Sequence, residues 1–260
     1  TSTVIEKSSV AATIGEALAT GLYTRVHVRS VWSQEVRALL GARLQLKRQV
    51  QQSRQFVRGH LRAVGVELGQ VTGKKWLVAA QAAVAARGGV LGLSLTAMLE
   101  ACCALGEQVS VLDREIRRLV RQDAPCRRMM TAPGVGLLSA LALRSSLDDA
   151  GRFARSAEVG PYLGLTPSRW QTGKTDRRGA ITKQGDSLVR AYLYEAATSL
   201  LERQKRDCPL RRWGLAKQDR LGKRRTRVAV ARKLAVLMHK LWRSGETFDW
   251  NRGMGAITIN

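Results

Sequence analysis

Two long stretches of the chain repeat apolar residues at helical spacing, and they restrict the fold more than any other feature. In the first, Val36, Leu40, Leu44, Val50, Val57, Leu61 and Val64 fall at steps of three, four or sums of these, with Gln, Arg and Lys on the other faces. A 3.6-residue period gathers such positions on one side, so the pattern predicts an amphipathic helix from Val31 to about Val66. In the second, Leu95, Met98, Cys102, Leu105, Val109, Leu112, Ile116 and Leu119 alternate steps of three and four. That heptad seam predicts a helix over residues 94–121, ended by Pro125. A shorter helix is expected over 74–87, closed by Gly88–Gly89. Helix, break and helix with charged outer faces predict an antiparallel coiled-coil pair, a spacer or a dimerisation element. Arg43, Lys47 and Arg54 interrupt the first seam and weaken it as a zipper.

The remaining segments read less strongly. Thr13 to Gly21 predicts a short helix, and Val26–His27–Val28 a short extended piece. From Cys126 onward Gly, Thr, Pro and Arg separate short apolar runs, which places a domain boundary near 125. Residues 187–201 predict a helix with Leu188, Tyr192, Ala196 and Leu200 on one face. A last helix is expected from near Thr226, apolar on much of its surface and therefore buried. The expected fold is mainly α: a coiled-coil helical region over 31–125, then a helical domain over 126–250, with 1–30 and 251–260 as flanking segments.

Charge narrows the partners. Lys and Arg number 44 against 20 Asp and Glu, a formal net charge of +24. A folded chain that basic repels itself unless a polyanion or counterions neutralise it. Nucleic acid is the favoured polyanion, because phosphate neutralisation releases counterions and gives affinity without base contacts. No uninterrupted apolar run reaches about 18 residues, so neither a transmembrane helix nor a membrane partner is expected. Cys102, Cys103, Cys126 and Cys208 lack metal-ligand spacing and read as reduced packing thiols, which suits the cytoplasm. The three His are scattered, and no metal site is predicted from them. The first residue is not Met and no signal-peptide pattern follows, so the chain is expected to begin inside a larger reading frame.

Three segments carry the candidate chemistry. Pro133–Gly134–Val135–Gly136, followed by the apolar run 137–143, reads as the turn of a helix–hairpin–helix unit. Bare glycine backbone and the amides of the next helix can meet phosphate oxygens without reading sequence. The segment 162–186 reads as a long irregular loop, and long ordered loops tend to be functional. It carries Arg169, Lys174, Arg177, Arg178 and Lys183, with Trp170 able either to stack on a base or to pin the loop to the core. The tail brings Lys223, Arg224 and Arg225 beside the buried last helix, a phosphate-tracking surface.

The order of these segments resembles the C-terminal domain of insertion-sequence transposases of the one-hundred-and-ten family. The residues that carry the resemblance are Pro133–Gly134–Val135–Gly136, Phe153, Tyr162–Leu163–Gly164–Leu165–Thr166–Pro167, Gln171–Thr172–Gly173, Asp176–Arg177–Arg178–Gly179, Ile181–Thr182–Lys183–Gln184–Gly185–Asp186, Leu188, Arg190 and Ala229–Val230–Ala231–Arg232–Lys233–Leu234. Thr20–Gly21–Leu22–Tyr23–Thr24–Arg25–Val26–His27–Val28 is similar to the joint between that family's catalytic domain and its coiled coil. The resemblance implies a bacterial, nucleoid-associated recombinase that moves a DNA element. It implies an N-terminal RuvC-like domain whose acids bind Mg²⁺, a C-terminal serine nucleophile, homo-oligomers and a structured guide RNA.

This sequence departs from the family pattern at two places. Counting back from Gly21–Leu22–Tyr23, the family's Asp-x-x-Asp pair falls on about Lys7 and Val10, and neither side chain binds a metal. Residues 1–30 therefore read as the end of a RuvC-like domain or a linker, and no cofactor is expected in this chain. The serine position is Thr172, still a hydroxyl but crowded by its methyl group, and Ser168 is a weaker substitute. The expected activity is DNA transposition by strand cleavage and transfer, impaired without the acids. The alternative is a non-catalytic DNA- or RNA-binding module derived from a transposase.

Overall fold

The computed structural model describes residues 2–21, 26–70, 72–172 and 175–250. The chain divides into two units, Thr1–Ser30 and Val31–Asn260. The first unit holds helix α1 (Ser2–Thr20), which begins well before the expected Thr13. Its early turns contain Thr3, Val4, Ile5 and Val10, and β-branched residues disfavour a helix only mildly. Residues 22–25, the centre of the Gly-Leu-Tyr resemblance, lie outside the described residues.

In the second unit, α2 (Val31–Ala63) and α4 (Gly89–Gln122) are the two long helices, with α3 (Gly73–Arg87) between them. At about 1.5 Å per residue each long helix extends roughly 50 Å. They run antiparallel. Arg43 Nε donates to Asp113 Oδ1 at 2.5 Å, and the Cys102 thiol lies 3.9 Å from the Val50 carbonyl. Arg43, which interrupts the apolar seam, thus meets a carboxylate across the pair. Arg54, another of the charged interruptions, lies 5.1 Å from the ring centre of buried Trp76, and Arg58 lies 5.9 Å from it. Long basic side chains can cover an indole while their charges stay wet. Trp76, Ala80 and Val84 of α3 close a cluster with Val50, Val57, Leu61, Leu95, Leu99 and Cys102.

α4 begins earlier than its heptad seam. Gly88 and Gly89 have φ of 60° and 63°, which favours glycine, so the chain needs no longer linker after α3. Among the described residues α4 is one helix long and apolar enough to cross a membrane by length and composition. Counting uninterrupted apolar residues predicts none, because Ser94, Thr96 and Glu100 divide the run. In the fold Leu95, Leu99 and Cys102 of this stretch are buried against α2 and α3.

A second, larger core continues across residue 125. Val36 and Leu40 of α2 and Ile116 and Val120 of α4 pack with Cys126, Met129, Leu141, Leu143, Leu193, Leu200, Val230, Leu234 and Met238. Those from Cys126 onward come from α5 (Ala124–Met129), α6 (Leu137–Leu147), α8 (Ser187–Thr198) with the π turn Ser199–Arg203 that carries Leu200, and α9 (Pro209–Ser244), while a four-residue α7 (Val159–Tyr162) adds Val159. Pro125 closes α4 and opens α5, where its missing N–H costs nothing. Asp123 caps α5 by accepting from Cys126 N at 2.9 Å. Arg144 of α6 ties four elements together. Its guanidinium lies 4.7 Å from the Trp32 ring and 4.5 Å from the Trp242 ring, and its Nε is 3.5 Å from Asp123 Oδ1.

The fold is mainly α, and the sheet among the described residues is a two-stranded antiparallel one. β1 (Pro167–Thr172) pairs with β2 (Thr175–Ile181) where the sequence reads as an irregular loop. Alternating Thr, Trp and Arg suit a pleated surface, but Gly, Pro and Lys conceal the period-two signal. α9 likewise begins at Pro209 rather than near Thr226. Gly222, at φ 75° and ψ 158°, breaks it shortly before the expected start.

Candidate nucleic-acid interface

The Pro133–Gly136 turn joins α5 to α6. Pro133 and Val135 are buried, and Gly136 is exposed. Gly134 adopts φ 78°, and a Cβ there would stand 2.6 Å from the Ala196 carbonyl and 2.8 Å from Leu200 Cβ. This glycine lets the turn press against the end of α8, where the helix widens into a π turn over Ser199–Arg203. Nothing lies within 4 Å of a Cβ at Gly136, which starts α6 without a side-chain cap. Of the four turn residues, Gly136 therefore offers the open backbone, and the other positions serve packing.

The β1–β2 hairpin projects from a tightly closed base. Gly164, at φ 64°, allows the 183–185 backbone to pass, since a Cβ would lie 2.6 Å from Gln184 N. Lys183 N donates to the Gly164 carbonyl at 3.1 Å and Thr182 N to the Thr166 carbonyl at 2.9 Å. Asp186 then caps α8 by accepting from Leu188 N and Val189 N, and it also pairs with Arg37 of α2. Burial pushes the Asp186 carboxyl pKa up, but Arg37 and the two amides outweigh it and hold it below the ordinary carboxylate value. The Gly185–Asp186 motif is thus an anchor for the hairpin base.

Along the hairpin, side chains alternate. Register pairs Thr172 with Thr175, Trp170 with Arg177 and Arg169 with Arg178. Thr172, Arg177 and Lys183 are exposed, and Trp170 is 67% exposed. Arg169 is held by Asp176 through bonds of 2.7 and 3.0 Å, so part of its charge is already matched. Ser168 Oγ donates to the Ala180 carbonyl at 3.1 Å. Lys174 and the side chain of Arg178 lie outside the described residues.

Between the hairpin base and α9 lies an open groove of about 980 Å³. Lys217, Arg220, Arg224, Arg225, Arg232 and Lys233 line it over a floor that includes Leu165, Ile181 and Val228, and no carboxylate lines it. Lys223 is exposed beside Gly222 and does not line the groove. Lys233 Nζ sits 4.5 Å from the Trp213 ring centre, and burial together with Arg232 lowers its pKa. The sequence alone points to Arg224 and Arg225, while Lys217, Arg220, Arg232 and Lys233 read as part of a general basic tail. Their spacing on α9 was available, but the hairpin that forms the opposite wall was not. Six cations converging without a carboxylate can hold a chain of phosphates. Among the described residues no three His, Cys, Asp or Glu side chains cluster to hold a metal ion.

Among the described residues the structure is thus mainly helical, with a cationic groove beside a hydroxyl-bearing hairpin. Residues 126–209 match the family described as Transposase IS116/IS110/IS902. The transposase for insertion sequence element IS1111A of Coxiella burnetii is 28% identical over 243 residues, 90% of this chain and 66% of that protein. The transposase for insertion sequence element IS1328 of Yersinia enterocolitica is 28% identical over 146 residues, 56% of this chain and 44% of its own length. A Sinorhizobium fredii relative, y4pF/y4sB, is 32% identical over 153 residues, 58% of this chain and 40% of that protein. The chain thus spans between two fifths and two thirds of these relatives.

Proposed function

We propose that this chain is the DNA-holding portion of an insertion-sequence transposase. The observation that carries the proposal is the groove in which Lys217, Arg220, Arg224, Arg225, Arg232 and Lys233 converge without a carboxylate. It receives one phosphate backbone, with Arg177 and Lys183 extending the positive surface onto the hairpin. The amides near Gly136, in the helix–hairpin–helix reading, hold a second stretch of backbone. Thr172, exposed at the hairpin end, occupies the place of the family's serine and offers a hydroxyl to a scissile phosphate. The antiparallel α2–α4 pair serves as a coiled-coil arm that brings copies together, and a structured RNA is a second polyanion the chain accommodates.

Mg²⁺ belongs to the family's acidic domain. Among the described residues no cluster of His, Cys, Asp or Glu would hold it. The second reading, a non-catalytic DNA- or RNA-binding module, is favoured by that same ligand inventory. Two measurements decide. Neutralising Lys217, Arg220, Arg224 and Arg225 together is expected to lower the slope of log affinity against log salt for duplex DNA by up to about 3.6, at roughly 0.9 per lost phosphate contact. An unchanged slope refutes the groove. Covalent trapping of labelled DNA with Mg²⁺ through Thr172 would sink the non-catalytic reading. Salt-dependent binding without any trapped product would sink the catalytic one.

A further inference from the structure

Trp170 is an exposed aromatic side chain that the groove reading leaves unused. It is 67% exposed, and the burial pattern along β1 shows no contact that pins the ring to either core. A bare indole on a surface loses the apolar burial that usually justifies its presence. The strand beneath it is shaped to accept it. At Gly179 of β2, a Cβ would stand 3.0 Å from Trp170 Cζ3 and 2.5 Å from Ser168 Oγ, so any other residue would force the ring to move. Trp170 is directly opposite Arg177, and period-two alternation puts Thr172 and Thr175 on the same face. Residues two apart on a strand are about 6.8 Å apart, a separation that a nucleotide bridges between its base and a neighbouring phosphate.

We propose that Trp170 is a stacking platform for one unpaired nucleobase, holding that nucleotide so that an adjacent phosphate faces Thr172 and Arg177. The inference rests on the reading of this face as a nucleic-acid surface. The occupant must be unpaired, because a base inside a duplex shows the protein its edges and hides its faces. It must be anionic, because the surrounding charge is positive: Arg177 and Lys183 are exposed on the hairpin, and the groove beside them carries six cations. Stacking would select for strand separation and not for base identity, since every base has a π face. Trp170 is then a positioning residue for the phosphate at Thr172.

The test uses the whole chain, with fluorescence anisotropy on one sequence presented as single-stranded DNA, as single-stranded RNA and as duplex DNA. Trp170→Ala is expected to weaken single-strand binding about tenfold, with duplex affinity unchanged. Trp170→Phe, which keeps an aromatic face, is expected to restore most of the loss. A 2-aminopurine placed along the strand is expected to be quenched by the wild-type protein at one position and not by Trp170→Ala. Loss on the DNA strand, the RNA strand or both supports the proposal and identifies the source of the base. Equal single-strand binding by wild type and Trp170→Ala, with duplex binding intact, overturns this inference while leaving the groove standing. The same holds if Trp170→Ala alters only self-association. Failure of the wild type to bind any of the three overturns the groove reading and this inference with it. Because Trp170 is exposed, an unchanged unfolding curve for Trp170→Ala is the expected control.

Discussion

Replacing Arg37 by alanine tests how the candidate site is fastened to the helical arm. Arg37 lies early in α2, and its guanidinium pairs with Asp186, the residue that follows the hairpin base and caps α8. The Asp186 side chain is 6% exposed and that of Arg37 29%. A hydrogen bond between charged groups contributes about 1.5–3 kcal/mol. Stranding a fully buried charge costs about 3–5 kcal/mol. Asp186 keeps its two amide donors and Arg37 is partly wet, so the lower range applies, and Arg37→Ala is expected to cost about 2–3 kcal/mol at neutral pH. The pH dependence has a definite sign. The folded-state pKa of Asp186 is depressed, so the pair's stabilisation is present above the unfolded aspartate value of about 3.9 and is lost as pH falls through the lower folded value. Without Arg37 the burial that raises this pKa is less opposed. Acid unfolding of Arg37→Ala is therefore expected to begin at higher pH than in the wild type. Urea midpoints measured from neutral pH down to about pH 3 provide the assay. A midpoint equal to wild type at neutral pH, or acid limbs that run parallel, would refute the reasoning.

Two further outcomes follow from the same packing. Gly134→Ala combines a positive φ with a Cβ placed 2.6 Å from a backbone oxygen, and is expected to cost about 2–4 kcal/mol. Gly136→Ala meets open space and should cost less than about 1 kcal/mol. Equal losses in thermal unfolding would contradict the assignment of Gly134 to packing. His239 is fully buried, with its ring nitrogens 2.9 Å from Ser156 Oγ and 3.1 Å from the Ala150 carbonyl. Burial, the largest influence, lowers its pKa. Its neutral form contributes stability above the unfolded value of about 6.5, and that contribution declines as pH falls toward the folded value. Wild type should lose stability as pH falls below the unfolded value of about 6.5, and His239→Phe should lack that component of the slope. Identical slopes would exclude His239 as the titrating group.

The local periodicities are strong enough to specify the two long helices, α2 and α4, from sequence alone. The heptad steps from Met98 to Leu119 and the 3.6-residue pattern from Val36 to Val64 require one buried stripe each, and no strand satisfies those spacings. The charge of +24 likewise restricts the partners whatever the fold. The ordered segments from Pro133 to Leu234 carried the resemblance to the transposase family, whose domain is matched over residues 126–209.

Tertiary structure decided which of those residues meet. Lys217 and Lys233 look like members of one basic tail in sequence, yet they become groove walls only because the base of β1–β2 lies across the groove from α9. That hairpin depends on long-range backbone approaches at Gly164 and Gly185, which no local pattern encodes. Pro133 to Gly136 reads as an open phosphate turn, but the close fit of Gly134 against Ala196 and Leu200 turns most of it inward. Arg43, Arg54 and Asp186 appear in sequence as interruptions or ordinary polar residues. They become fasteners because distant helices bring Asp113, Trp76 and Arg37 to them. Periodicity belongs to a single element and survives in a linear reading. Convergence of charges and close backbone contacts are properties of pairs of elements, and they exist only once the core has placed those elements side by side.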